Sequence, residues 1–348
     1  MKSILREILR RPLGRISLGI LLTLYLGALF AGFLATQPVN TQDLDATYHP
    51  PTRLTWHDGG LAVRAYRLVD RSGPHYEPIP GEAHRLRLFA PGFDYKFLGL
   101  VPMKRHLLQP ADPAAKLYLL GSDSTGRCVF SRLVYGSRVS LLIGLIGISI
   151  TLTLGLLVGG LSGYFGGKTD FLCMRGVEFL MAVPSLYLLL SLRSVLAPRF
   201  SSDQMFVVIV IILSLIGWAG AARVLRGLSL SLRRTQFVLA AECMGQGPLG
   251  ILRLHILPNL ASYLLVAATL SIPGYILGEA ALSFLGLGIA EPASSWGLML
   301  SQAQNIKIFM LNFWWLLTPG AAIFVTVIAF NLLGDVLRDI VDPRMKTQ

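Results

Sequence analysis

The sequence predicts an all-α polytopic membrane protein with six transmembrane helices and a small β-containing extracytoplasmic insert between the first two. Three observations lead there. Of 348 residues, 53% are hydrophobic and 14% charged, whereas soluble domains carry about a quarter charged residues. Uncharged runs of about 20 residues, enough for a helix to cross ~30 Å of hydrocarbon, recur along the chain. Lysine and arginine gather in short segments beside those runs, which marks cytoplasmic loops.

The chain opens with "MKSILREILRRPLGR", where Ile4, Leu5, Ile8 and Leu9 form one side of a short interfacial helix. The first crossing is Ile16 to Thr36. Its apolar run is longer than the ~7–15 residues of a signal core, and no A-x-A cleavage pattern follows, so it reads as a retained anchor. Gln37 to Ser137 is rich in proline and charge. Its alternating stretches "LAVRAYRLV" and "HRLRLFAPG" predict half-buried strands. Its twelve basic residues do not oppose an outside location, because loops longer than ~60 residues escape the charge rule.

The second crossing is Val139 to Gly167, where Gly155, Gly159 and Gly163 share a helix face and permit close packing. A third, about Arg175 to Leu196, needs Arg193 to reach the headgroups and Glu178 to lie near the other interface. Gln204 to Ala222, Ile256 to Gly278 and Ile308 to Gly334 complete six. Pro184, Pro273 and Pro319 fall inside these spans and predict kinks. Five basic residues against one acid precede the first crossing, and five against one precede the fifth, so both termini are expected in the cytoplasm. The parts are then residues 1–36, the insert 37–137, and a five-helix core 138–348 containing the loop 236–259.

The net charge of +12 is used up by this topology and does not point to nucleic acid. Cys128, Cys173 and Cys243 are far apart in sequence, and five of six histidines lie in the outer segment without ligand spacing, so neither a disulfide framework nor a metal or cofactor site follows. "SGYFGGKT" nearly reads as a phosphate-binding loop, but Ser162 occupies the first glycine position and the motif ends a membrane span. HExxH and GxSxG are missing, so the chain is expected to do no covalent chemistry.

One polar segment interrupts the apolar core, "LAAECMGQGPLGILRLHILPN" from Leu239 to Asn259. A short helix with small Ala240 and Ala241 is broken at Gly245, Gly247 and Pro248; a second, carrying Ile251 and Leu252, runs to Pro258, which restarts the next span. Such an elbow, with Met244 at its bend, suits either a docking knob or an amphipathic loop on the lipid surface. After the fifth span, "SFLGLGIAEPASSWG" offers glycines for irregular backbone, with Phe284 and Trp296 as apolar plugs. Trp296 is equally an interfacial anchor.

The spacing Ala240, Ala241, Gly245, then "HILP" (His255, Ile256, Leu257, Pro258) resembles the EAA loop of binding-protein-dependent ABC importer permeases; Leu239 replaces the motif's glutamate. "LLGSDSTGRCVFSRLVYGSRVSLLIG", "GYFGGKTDFLCMR", "GEAALSFLGLGIAEPASSWGLML" and "FNLLGDVLRDIVDPRMK" resemble the C-type subunit of the dipeptide/oligopeptide permeases, over about Leu119 to the C-terminus. "YKFLGLVP" in the insert is weaker. Cys128 stands where the family usually has an acid, and the long insert is similar to the oligopeptide branch. The resemblance implies a type I ABC importer permease fold and a peptide substrate. It implies as partners a second homologous permease, two ATPase subunits and an extracytoplasmic solute-binding protein, with no cofactor of the chain's own. It implies ATPase coupling through Leu239, Ala240, Ala241, Met244, Gly245, Ile251, Leu252 and His255 to Pro258. Ser283, Phe284, Leu285, Gly286, Leu287, Gly288, Trp296 and Gly297 are expected in an outer gate. Two other classes compete. A membrane sensor would need a separate output partner. An ion-coupled secondary transporter would need intramembrane ionisable residues, and only Glu178, Arg193 and Glu279 lie near spans.

Overall fold

The computed structural model describes residues 2–57, 59–70, 73–112, 114–196, 199–304 and 310–341. In chain order come α1 (Lys2–Arg10), α2 (Pro12–Leu29), α3 (Ala31–Leu34), β1 (Leu54–His57), β2 (Gly60–Asp70), β3 (His75–Phe97), β4 (Val101–Pro110) and α4 (Val129–Gly155). Then follow α5 (Leu161–Phe165), α6 (Gly167–Ala182), α7 (Ser185–Leu196), α8 (Ser202–Arg233), α9 (Gln236–Cys243), α10 (Pro248–Ile251), α11 (Leu257–Phe284), α12 (Trp296–Gln302) and α13 (Thr318–Val341). Wide π turns at Leu156–Gly160 and Leu252–Ile256 join α4 to α5 and α10 to α11.

Among the described residues, five helical stretches are long and apolar enough to cross a membrane: Pro12–Leu29, Val129–Phe165, Gln204–Arg233, Pro248–Phe284 and Trp314–Val341. A sixth exists if the bent pair Gly167–Ala182 and Tyr187–Leu196 is one span. The kink that Pro184 predicts in the crossing from about Arg175 to Leu196 is a full break between two helices. Val183 is extended (φ −84°, ψ 124°) because a residue before proline is pushed out of the helical region, and the helices on either side of Pro184 turn by 88°. Pro319 produces no kink, since it stands in the first turn of α13, where its missing N–H is not needed. The expected start of that span, Ile308, lies outside the described residues, as do 342–346 of the last family-like stretch.

The chain divides into two compact units. One contains residues 1–21, 142–278 and 326–348. Here the glycine face seats α8 against the second crossing. A Cβ at Gly159 would lie 2.2 Å from the Ala222 carbonyl oxygen, and one at Gly163 2.4 Å from that of Arg226. Hydroxyls tie the same helices, with Ser214 Oγ donating to Gly147 O at 3.1 Å and Ser229 Oγ to Gly160 O at 2.9 Å. Without a hydrophobic drive between helices in lipid, close van der Waals packing and such bonds hold them. The N-terminal helix splits its apolar side: Ile4 and Ile8 pack on Val336, Leu337 and Ile340 of α13, while Leu5 and Leu9 are exposed.

The other unit contains residues 22–141 and 279–325. Its four strands form an antiparallel meander in the order β1-β2-β3-β4, with Leu54 opposite Val63, Ala62 opposite Arg85, and Leu88 opposite Leu108. Both alternating stretches read from the sequence are strands, within β2 and β3. A second apolar centre gathers Val129, Met299, Phe313, Trp315 and Leu316, with Tyr48 stacked on Phe313 at 4.7 Å.

The glycine contacts make a direct prediction. Gly159→Val forces overpacking against the α8 backbone and should cost ~1–3 kcal/mol or more, read as a lower midpoint of thermal unfolding in lipid nanodiscs. Gly220→Ala, whose Cβ would meet nothing within 4 Å, should leave that midpoint unchanged.

Candidate functional site

Both stretches singled out in the sequence are helix ends closed by the same device. After α9, Gly245 takes φ +79°, and its N–H bonds Glu242 O at 2.9 Å while that of Gln246 bonds Ala241 O at 3.0 Å. After α11, Gly286 takes φ +72°, with Gly286 N–H to Ser283 O at 3.0 Å and Leu287 N–H to Leu282 O at 2.8 Å. This pair of bonds around a left-handed residue is the Schellman closure, which satisfies last-turn carbonyls and favours glycine because any Cβ is strained there.

At the first bend, Gly247 is extended and Pro248 starts the next helix. His255 Nε2 meets Gln246 Oε1 at 2.9 Å and clasps the two arms. Pro258 does not restart a helix, correcting the expectation. The stretch Pro248–Phe284 is helical throughout, and the π turn just before Pro258, closed by Leu257 N–H to Leu252 O, widens the helix where the proline ring would crowd a carbonyl. The elbow residues divide between two faces. Val238, Ala241, Ile251, Ile256 and Leu260 are buried with Tyr164 and Leu225 in one cluster, against which Leu252 is partly buried. Ala241, Ile251 and Ile256 thus hold the elbow together from inside rather than facing outward. Ala240, Leu257 and Pro258 are exposed, Leu239 is 48% exposed, Met244 79% and Leu249 75%. The elbow shows an apolar knob on a packed base.

At the second bend one carboxylate organises the backbone. Glu279, fully buried, accepts from the hydroxyls of Ser283 and Ser295 at 2.7 Å each and of Ser140 at 3.5 Å. Each serine oxygen in turn accepts a backbone N–H, from Ile289, Leu298 and Trp296 respectively. Hydroxyls can do both at once, which lets a single acid fix a turn and the start of α12. Gly288 and Gly297 are required by close approach, since Cβ atoms there would lie 1.9 Å from Ser283 Oγ and 2.6 Å from Ala280 Cα. Phe284 and Leu285 are exposed and Leu287 half-buried. Trp296 is neither plug nor interfacial anchor: it is 1% exposed, and its indole N–H donates to Leu133 O at 2.9 Å.

Sequence reasoning missed an ion cluster beside this turn. Asp123 accepts from Arg127 Nε at 2.8 Å and Arg132 Nη1 at 2.6 Å; Glu291 accepts from Arg127 Nη1 at 2.5 Å and Arg132 Nη2 at 3.0 Å. All but Glu291 are buried. Burial raises the Asp123 carboxyl, but Arg132, Arg127 and the backbone N–H groups of Arg127 and Thr125 outweigh it and hold it below the usual carboxylate range. The only available signal was the "SDSTGR" stretch, which spacing alone does not connect to Glu291. Cys128, the departure from the family pattern, is buried with Ala46 and Tyr118, its Sγ 3.5 Å from Thr36 Oγ1. Among the described residues no cluster of His, Cys, Asp and Glu could hold a metal ion.

Apolar helices of crossing length, seated on glycines and carrying two hydrogen-bonded bends, define a polytopic membrane protein. Residues 152–347 match the family described as binding-protein-dependent transport system inner membrane component, and residues 1–51 match the N-terminal transmembrane domain of oligopeptide transport permease C. The chain belongs to this permease family and is a membrane subunit of an ABC importer. It is 35% identical to the dipeptide transport system permease protein DppC of Bacillus subtilis over 70% of this chain and 74% of that one. To the oligopeptide permease protein OppC of Haemophilus influenzae it is 38% identical, over 69% and 74%. To the nickel permease protein NikC of Escherichia coli it is 39% identical, over 66% and 80%.

Two outcomes are expected. Glu279→Gln places an amide N–H₂ among three hydroxyl donors and should destabilise by ~2–4 kcal/mol, more than the ~1–3 kcal/mol of Ser283→Ala; unfolding midpoints in nanodiscs measure both. Asp123 has a lowered folded pKa, so the unfolded chain binds the extra proton. Its stabilisation is complete above an unfolded value of ~3.9 and is lost as pH falls through the folded value. The stability gap between wild type and Asp123→Asn should therefore shrink below about pH 4.

Proposed function

We propose that this permease spans the inner membrane six times, the bent α6–α7 pair serving as the third crossing, with both termini and the Gly245 elbow in the cytoplasm and the β insert outside. A second, homologous permease completes the translocation pathway, two ATPase subunits grip the elbow, and a solute-binding protein delivers cargo from outside. The observation that carries the reading is the elbow itself. Residues Leu239, Ala240, Met244 and Leu249 lie exposed, beside exposed Glu242, on a bend whose other face is packed, which leaves large apolar side chains outside where a solvated loop would be polar throughout.

The helical stretch Pro248–Phe284 begins at this elbow and ends at the Ser283 to Gly288 bend. Movement of the elbow on nucleotide binding would be passed to that helix, biasing the pathway between inward-facing and outward-facing states. The bend, with exposed Phe284 and Leu285, then works as part of the outer gate, and Trp296 and Gly297 anchor it. A groove of about 370 Å³, lined by Thr151, Tyr263, Ser271, Tyr275 and glycines 217, 220 and 274, is the candidate pathway wall. Hydroxyls among aliphatic side chains suit a neutral peptide backbone, and peptides are the substrate class that the dipeptide and oligopeptide relatives support; the nickel relative marks the alternative.

The test uses the assembled transporter. Met244→Asp with Leu249→Asp alters only exposed positions, so the permease should keep its unfolding midpoint while ATPase capture falls at least tenfold and uptake is lost. Gly245→Asn, which tolerates positive φ, should retain much of both activities, and Gly245→Trp, projecting into open space, should retain neither. Full capture and uptake by the double aspartate variant would overturn the docking assignment.

A further inference from the structure

The turn between β3 and β4 is out of place for a loop in water. Residues Phe97 to Met103 read "FLGLVPM", uncharged throughout, with Lys96 before and Lys104 and Arg105 after. Leu98 is 56% exposed, Leu100 81% and Val101 52%. The turn is closed by Leu100 N–H to Phe97 O at 3.0 Å, and both central residues have positive φ, Leu98 at 52° and Gly99 at 75°. Such a turn selects Asn-Gly in solvent-exposed hairpins, since asparagine tolerates the left-handed region and leucine does not. A leucine held there, pointing out of the protein, needs a compensating environment.

The packing shows what that environment is. Gln109 Nε2 donates to Thr36 O at 3.3 Å; Phe89 meets Phe33 at 5.9 Å; Tyr95 covers Gly32; Phe97 stacks on Phe30 at 5.6 Å. As α3 and α2 are followed backward from Thr36, the contacts on the hairpin move towards its turn. The turn therefore reaches back along the first crossing. Phe97 and Met103 share a predominantly apolar groove of about 670 Å³ with Thr23, Leu26, Gly27 and Phe30. Phe30 is six residues inside Thr36, about 9 Å at ~1.5 Å per residue, comparable with the ~5–10 Å to which amphipathic elements enter the headgroup and acyl boundary.

We propose that the β3–β4 turn is a membrane-inserting hairpin, with Leu98, Leu100, Val101 and Met103 among lipid acyl chains and Lys96, Lys104 and Arg105 at the headgroups. Continuity with the lipid-facing surface of α2, where Leu22 and Leu26 are also exposed, and the basic collar on both strands identify lipid as the occupant. Lys104 also pairs with Asp94 at 3.1 Å, at an exposed position where such pairs bind weakly and leave the cation available to phosphate. The insert is thus pinned to the bilayer by this turn as well as by its chain connections to the first and second crossings. The outer leaflet follows from the topology proposed above; insertion itself does not depend on it.

The experiment places an environment-sensitive nitrobenzoxadiazole label at Leu100→Cys, and as control at Trp56→Cys, which is 77% exposed on β1. Cys173 and Cys243 are replaced by serine, and the assembled transporter is held in nanodiscs of equal phosphatidylcholine and phosphatidylglycerol, with or without lipid carrying a doxyl group on acyl carbon 5. Doxyl lipid should quench the Leu100→Cys label at least about twofold more than the control, and aqueous iodide should quench it less. Adding Leu98→Asn with Met103→Asn should reduce the doxyl quenching. Equal doxyl quenching at both positions overturns the proposal, and so does protection of Leu100→Cys from doxyl and iodide alike, which would mean that a protein partner covers the turn. Nanodiscs expose both faces, so this result is independent of sidedness, which iodide access to the Trp56→Cys label in sealed vesicles reports separately.

Discussion

Hydrocarbon offers no hydrogen-bond partners, so each backbone group at membrane depth must find one inside the protein. That constraint is strictest inside the span, and the same need to satisfy helix-end groups governs the bends at its edges. Where helices stop, Gly245 and Gly286 let the last carbonyls be satisfied locally by Schellman closures. Where a proline would break a helix that must continue, a π turn comes just before it at Leu252–Ile256. Where the chain leaves α11 and enters α12, three serine oxygens accept the amides of Ile289, Trp296 and Leu298 while their hydroxyls donate hydrogen bonds to the Glu279 carboxylate. An ionisable residue inside a membrane protein is costly unless partnered, and Glu279 is tolerated because it does the work of an entire turn's hydrogen-bonding.

The same constraint separates what is fixed from what is offered. The elbow's buried face, through Val238, Ala241, Ile251 and Ile256, is ordinary core packing. What it leaves outside includes the large apolar side chains of Leu239, Met244 and Leu249 beside exposed Glu242 and Arg253. At the other bend Trp296 is locked, while Phe284 and Leu285 remain outside. A subunit whose partners act on its ends needs this arrangement, because a surface can transmit force only if its own base is held.

The crossings at Val139 to Gly167 and Gln204 to Ala222, and the strands in 61–69 and 84–92, were legible because apolar length and period-two alternation are local signals. The kink at Pro184 was legible as well, because a proline inside a span is a local signal; its size was not, since Leu186 to Leu192 is as apolar as a continuous span. The serine and carboxylate network was not legible. Ser140 and Ser295 are 155 positions apart, and nothing in either neighbourhood names Glu279 as the common acceptor. The ion cluster shows the same limit, with Arg132 close to Asp123 in sequence and Glu291 far from both. Trp296 misled because an aromatic residue near a span end fits an interfacial anchor as readily as a buried position; its burial and the indole bond to Leu133 O separate them.

The importer reading depends above all on the elbow facing the compartment where ATP is, and a native residue reports on it. Cys243 is exposed in that elbow, Cys128 is buried, and Cys173, half-buried, can be replaced by serine. A membrane-impermeant maleimide should leave Cys243 unlabelled in intact cells, label it in inside-out vesicles, and lose that labelling when the ATPase subunits are bound. Labelling of Cys243 from outside intact cells would contradict the account.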